Sequence, residues 1–221
     1  MSLRLSNRSF ASAADQVADA LRLAIFRGDL SPGQAIPQEE IAERFGVSRI
    51  PVRDAMNQLQ EEGLLNVIAS KGSFVANPSP EEIHETYEIR ILLELEALRL
   101  AFRRHNSETL NLAERYLRAF ELETDPTRLG QLDREFHGAL YAPADRKQLF
   151  ALINSLRTVS NQNYYREMSM PSHLQQCRAA HRKILENCRK KKLQEAKRLL
   201  RCHLLGAGSL VARAAGKQRS K

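Results

Sequence analysis

The stretch "QEEIAERFGVSRIPVRDAMNQL", residues 38–59, constrains the fold more than any other. Ile41, Ala42 and Phe45 repeat at helical spacing, and so do Val52, Met56 and Leu59, with only a few residues between the two sets. The chain must therefore turn sharply there. Gly46 supplies a bend that residues with a Cβ resist. Ser48 is a good N-cap, and Pro51 falls in a first turn, where its missing N–H costs nothing. The prediction is helix, tight turn, helix. Upstream, from Phe10 to about Arg27, Val17, Leu21, Ala24 and Ile25 mark one face of a further helix; Gly28 stops it, and "GDLSPGQAI" reads as a turn. Downstream of Gly63, "LLNVIA" and "SFVA" flank "SKG" and predict a two-stranded ribbon. A small helical domain with a hairpin wing results.

In a helix-turn-helix the second helix enters the major groove of DNA with its N-terminal residues toward the base edges. Ser48, Arg49, Ile50 and Arg53 occupy that end. Arg49 and Arg53 are four apart and share a face, and the planar guanidinium fork suits guanine O6/N7 or phosphate oxygens. At the wing tip, Lys71 and Gly72 are placed to approach the neighbouring groove or phosphates. The competing interpretation makes the two arginines solvated charges paired with Asp54 or Glu43. Bulk charge does not choose between them. The chain carries +8 overall, but residues 1–78 hold 8 Lys+Arg against 9 Asp+Glu, whereas residues 182–221 hold 13 against 2.

"ANPSP", residues 76–80, carries two prolines and no large apolar group, so a domain boundary is expected there, between domains 1–78 and 79–221. The second part shows successive amphipathic helices, at about 81–104, 108–122, 126–140, 146–166, 172–189 and 192–213, and no strand. The expected fold is mainly α, a winged helix-turn-helix followed by an all-α bundle. No apolar run is long enough to span a membrane, and "MSLRLSNRSF" has no apolar core of a signal peptide, so a cytoplasmic protein is expected. Cys177, Cys188 and Cys202 are odd in number and lack C-x-x-C spacing, which fits buried reduced thiols.

The run "QVADALRLAIFRGDLSPGQAIPQEEIAERFGVSRIPVRDAMNQLQEEGLL", followed by "KGSFVA", resembles the winged helix-turn-helix of GntR-type bacterial transcriptional regulators. The resemblance implies a homodimer on a pseudo-palindromic double-stranded operator, associated with the nucleoid when bound. It further implies that Arg49 and Arg53 read bases, supported by Ser48, Ile50 and the Lys71-Gly72 wing. Glu39 departs from the pattern, since some relatives place a DNA-contacting arginine there.

A second constellation lies in the bundle. "DREFH" puts Asp133 and His137 one above the other on a helix face, and His181 and His203 lie on the last two predicted helices. A carboxylate with imidazoles is ligand chemistry for a borderline or transition metal such as Zn, Ni or Mn, and a bundle core can bring such groups together. Four protein ligands leave an octahedral ion two positions for a small carboxylate. This half is similar to the FCD ligand-sensing domain found with GntR-type readers, whose metal ligands are one aspartate and three histidines. The resemblance assigns those roles to Asp133, His137, His181 and His203. Two departures stand out: Ala180 replaces an acid that commonly precedes the second histidine, and "APADRKQ" replaces a Gly-Asn. A missing acceptor behind the ligands would weaken metal affinity.

By the same resemblance Arg90 matches an arginine at the ligand pocket and is a candidate to pair with an effector carboxylate, the alternative being an ion pair to Glu94. Arg157 and Asn161 are further candidates. His84, His105 and His173 match nothing and read as surface residues, Cys202 as a packing residue, and "CRKKK" and "GKQRSK" as solvated helix ends. The expected function is a ligand-responsive transcriptional regulator, more specifically a repressor, sensing a small organic acid beside a metal. The alternatives are a metal-dependent enzyme acting on such an acid and an effector-independent DNA-binding protein.

Overall fold

The structure is a computed structural model. It describes residues 12–168 and 171–219, with the side chains of 126, 127, 158–168, 218 and 219 outside the description. The order is α1 (Ala13–Arg27), α2 (Gln38–Phe45), α3 (Arg49–Glu61), β1 (Leu65–Ile68), β2 (Gly72–Val75), α4 (Pro80–Phe102), α5 (Ser107–Leu122) and α6 (Pro126–Tyr141). A 3₁₀ turn (Ala142–Ala144), α7 (Lys147–Met168), α8 (Pro171–Arg189) and α9 (Leu193–Arg219) complete it. Phe10, the expected start of α1, lies outside the described residues. The chain divides into two compact units, one holding residues up to Ile25 with Leu30–Ala76, the other Phe26–Asp29 with Asn77 onward.

In the first unit α2 ends at Gly46, which takes φ 63° and sends its N–H back to the carbonyls of Ala42 and Glu43. That left-handed residue makes the turn tight. Ser48 stands at the N-cap of α3 in extended conformation, yet its hydroxyl makes no capping bond. The position is as expected and the bond is not. Val52, Ala55, Met56 and Leu59 form the buried face of α3, which packs on α2, and with Val17, Ala18 and Leu21 of α1 and Ala42 of α2 they belong to the apolar core of the unit, whose burial holds it together. Arg22 of α1 clasps Glu62 with two hydrogen bonds, at 2.8 and 2.6 Å, fixing the far end of α3.

The wing pairs β1 and β2 antiparallel, from Leu65 opposite Val75 to Ile68 opposite Gly72. The segment read as a turn contributes more than a turn: Ala35 bridges Phe74, and Ile36 N–H donates to the Ser73 carbonyl at 2.8 Å. Alternation was too short there to announce a strand. This extra pairing covers the edge of β2.

In the second unit each early helix carries its own start signal. Ser79 and Glu82 form a reciprocal capping box ahead of α4, Asn106 and Thr109 another ahead of α5, and Asp125 caps α6. α4 packs along α9, α5 against α6, and α8 against α5 and α9. Leu98, Phe120, Phe136, Leu140, Ile184 and Leu200 are fully or almost fully buried between them. Two sequence expectations need correction. His105 is buried rather than on the surface, its Nε2–H donating to the Leu140 carbonyl at 2.8 Å. Cys202 is exposed rather than packed, while Cys177 and Cys188 are buried.

Candidate functional site

The mouth of α3 presents Ser48, Arg49, Ile50 and Arg53 to solvent, with Ile50 62% exposed. A large β-branched side chain so open to water, between two arginines, has no packing role within its own unit. Lys71 and Gly72 are exposed at the wing. Arg49 is ion-paired, although with Glu39 at the start of α2 rather than with Glu43 or Asp54. Both side chains stay about two-thirds exposed, so water screens the pair and it contributes little to stability.

In the bundle, Asp133 and His137 on α6 meet His181 of α8 and His203 of α9. Each offers one ligand atom, and the four atoms lie within 4.8 Å of one another. That span is close to twice a metal–nitrogen bond of about 2.1 Å. The imidazole of His181 packs 4.8 Å from that of His203 and 4.9 Å from that of His137, centre to centre. Asp133, His137 and His181 are buried, and His203 is partly open.

The hydrogen bonding of the cluster is incomplete in a telling way. Asp133 Oδ2 accepts from Arg157 at 3.0 Å, whereas Asp133 Oδ1 and His137 Nε2 lie buried 3.8 Å apart with no hydrogen-bond partner among the described residues. Buried polar atoms are normally satisfied, so two neighbouring orphans flanked by two further imidazoles fit a cation-binding site. Protonation states agree. Burial would raise the Asp133 carboxyl, but the proximity of His181, His137 and Arg157 outweighs it and holds it well below its usual range. Burial, reinforced by the Arg157 charge, keeps His137 well below the usual imidazole range, and burial with His181 pushes His203 down to about 3. An ionised carboxylate at Asp133 with neutral imidazoles at His137 and His203 is the form in which such groups ligate. The four residues could hold a divalent metal.

Behind the ligands sits a polar layer. Glu94 of α4 accepts from Arg90 at 3.0 Å, from Arg157 at 2.5 Å and from the Tyr141 hydroxyl at 2.9 Å. Tyr141 in turn lies 3.2 Å from His137 Nδ1. So Arg90 forms the Glu94 ion pair named above as the alternative to an effector contact, and Arg157 bridges Asp133 and Glu94. The Asn161 side chain lies outside the described residues. His181 Nδ1, behind which Ala180 replaces an acid, has no partner among the described residues, whereas His137 is backed by Tyr141. The signal was present as Asp133, His137 and Tyr141 at steps of four. Beside His203 opens a cavity of about 570 Å³ between α8 and α9, lined among others by Cys177, Lys183, Ser209 and Arg213. Lys183 and Arg213 were not singled out in the sequence, because only the packing of α8 on α9 brings them together.

The family model described as "FCD domain" matches residues 85–206, and that described as "Bacterial regulatory proteins, gntR family" matches residues 13–75. The chain belongs to the GntR family and carries an FCD domain. It is 29% identical over 196 residues to the uncharacterised HTH-type transcriptional regulator YdhC of Bacillus subtilis, covering 85% of this chain and 86% of that one. To the HTH-type transcriptional repressor RspR of Escherichia coli it is 26% identical over 192 residues, 86% and 84% of the two chains. The crystal structure of a GntR-family transcriptional regulator from Pseudomonas syringae pv. tomato matches with 33% identity and a TM-score of 0.54, covering 94% of this chain and 88% of that one. This GntR-family protein is a DNA-binding transcriptional regulator and not an enzyme.

Proposed function

We propose that this GntR-family regulator is a repressor whose hold on a pseudo-palindromic operator is set by a small organic acid bound beside a divalent metal, Zn, Ni or Mn. The observation that carries the sensing half is the convergence of Asp133, His137, His181 and His203, of which Asp133 Oδ1 and His137 Nε2 are buried with no hydrogen-bond partner among the described residues. When bound, the metal supplies a positive centre on which a carboxylate can settle. Asp133 and Glu94 already balance Arg157 and Arg90 in this buried layer. A divalent ion therefore adds positive charge that the protein does not offset, and an anionic ligand is the natural complement. The cavity beside His203 has the volume of a small-molecule site, and Lys183 and Arg213 on its wall favour an acid. They join Arg90, Arg157 and Asn161 as effector-contact candidates, although Arg90 and Arg157 are already engaged with Glu94.

Residues 1–78 act as the DNA-binding domain and residues 79–221 as the effector-binding and dimerisation domain. Arg49 and Arg53, with Ser48 and Ile50, face base edges in the major groove, and Lys71-Gly72 reaches the neighbouring groove. A two-fold homodimer sets two readers on two half-sites, so a ligand that prefers one relative placement of the readers changes operator affinity. The name of RspR as a repressor supports the sign of regulation. The protein works in the bacterial cytoplasm, on the nucleoid when bound.

The test starts from an operator selected out of random duplexes. Arg53→Ala costs about 1–3 kcal/mol of affinity for it while dimerisation stays intact; unchanged binding refutes the reader. Purified protein carries a stoichiometric divalent metal, and an organic acid raises its unfolding temperature and releases the operator only when metal is present. The acid is recovered unconverted, as a sensor requires. Metal-free protein that responds to no acid refutes the sensing half.

A further inference from the structure

A buried chain of hydrogen bonds runs from the ligand cluster to α4, and nothing in operator reading or effector binding requires it. Asp133, His137 and Tyr141 follow one another at single-turn spacing on α6, so the tyrosine ring stands over the imidazole, centroids 5.9 Å apart. The tyrosine hydroxyl has a single proton, and the geometry sends it to Glu94 Oε2 at 2.9 Å. Toward His137 Nδ1, 3.2 Å away, the same oxygen has only a lone pair left to offer. The imidazole must then carry its proton on Nδ1 and donate it. Its Nε2 is left bare, and Nε2 is the atom that lies buried with no partner among the described residues, 3.8 Å from Asp133 Oδ1.

Glu94 also acts in a second direction. Arg157 donates one nitrogen to Glu94 Oε2 and another to Asp133 Oδ2. This holds the carboxylate of Asp133 so that Oδ1 is the oxygen turned to the histidines, 3.3 Å from His181 Nε2. One glutamate on a different helix thus aims two ligands, the imidazole through Tyr141 and the carboxylate through Arg157. Arg90 anchors Glu94 from its own helix one turn away. All of these groups are buried, so water does not substitute for any link.

We propose that Tyr141 and Glu94 are positioning residues for metal capture, which lock His137 in the tautomer that presents Nε2 and thereby preform the site before an ion arrives. The inference rests on the metal site proposed above. Groups behind metal ligands are known to govern affinity by fixing tautomer and ring orientation, typically by a factor of roughly 10 to 100.

The test uses the full-length protein stripped of metal, with Zn²⁺ titrated against a chromophoric chelator. Tyr141→Phe removes one hydroxyl and keeps the ring. The expected result is a roughly 10- to 100-fold loss of Zn²⁺ affinity with helix content unchanged. The control is Tyr116→Phe, which removes the hydroxyl of a half-buried tyrosine on α5 that takes part in none of these links, and is expected to leave Zn²⁺ affinity as it was. Nitrogen-15 histidine spectra of the metal-free wild type should show His137 protonated on Nδ1, a readout that stands even if the phenylalanine variant folds poorly. Zn²⁺ affinity of Tyr141→Phe equal to wild type, or an Nε2–H tautomer in the metal-free protein, overturns the inference while leaving the metal site standing. Wild-type protein that binds no Zn²⁺ overturns both.

Discussion

Two glycines on α9, two residues apart, should respond to the same substitution with opposite sign. A Cβ on Gly208 would lie 2.7 Å from Cγ and 3.0 Å from Cβ of Tyr87, the stem of that side chain and not its movable end. A Cβ on Gly206 meets nothing within 4 Å. Both positions are helical, so alanine brings each the same propensity gain, up to about 1 kcal/mol. At Gly208 the gain is set against forcing α4 and α9 apart or turning Tyr87, and overpacking of this kind costs about 1–3 kcal/mol. Tyr87 is also the ring over which the Arg90 guanidinium sits, 4.5 Å from its centre, so a displaced ring disturbs the ion pair to Glu94 as well. Because the propensity gain is common to both variants, the difference between them isolates the clash. The assay is thermal unfolding of the metal-free full-length protein followed by helical circular dichroism, where 1 kcal/mol corresponds to roughly 2–4 °C for a chain of this size. Gly206→Ala should unfold at or above the wild-type temperature and Gly208→Ala several degrees below it. A Gly208→Ala protein as stable as Gly206→Ala would show that α4 and α9 do not approach as closely as described, and the placement of Tyr87, Arg90 and Glu94 would have to be revised.

Two further outcomes follow from the surface of the molecule. Glu39→Gln releases Arg49 from its ion pair and removes a carboxylate from the reading end of α3; it should raise affinity for duplex DNA several-fold at low salt, measured by fluorescence anisotropy, and unchanged or weaker binding would count against Arg49 as a DNA contact. Among the cysteines, burial pushes the Cys188 thiol up to about 12, whereas Cys202 is exposed; alkylation near pH 8 followed by mass spectrometry should label Cys202 well before Cys188, and equal rates would contradict the packing of α8.

The reader was legible in the sequence because each of its signals is local. Glycine at the bend, proline in the first turn and apolar spacing on either side act within a few residues, and α2, α3 and the wing follow from them. The carboxylate–imidazole cluster was legible only in part. Asp133 and His137 share a helix face at a spacing of four, which any reader of the sequence can see, but only a family resemblance tied His181 and His203 to them, because nothing in their own surroundings distinguishes a metal-binding from a packed histidine. His105 shows the reverse failure. It was assigned to the surface for lack of a motif, and its burial comes from a carbonyl thirty-five residues away that satisfies its ring nitrogen.

The amino-acid order alone determined the helices and the two-stranded wing, since helical periodicity and turn chemistry involve neighbours a few positions apart. What only packing decided is which polar groups face one another inside the bundle. Glu94 meets Arg157 across sixty-three residues and Tyr141 across forty-seven, and Asp133 meets Arg157 across twenty-four. Such encounters depend on the angle and depth at which helices cross, quantities set by the shapes of many apolar side chains together and carried by no single stretch of the chain.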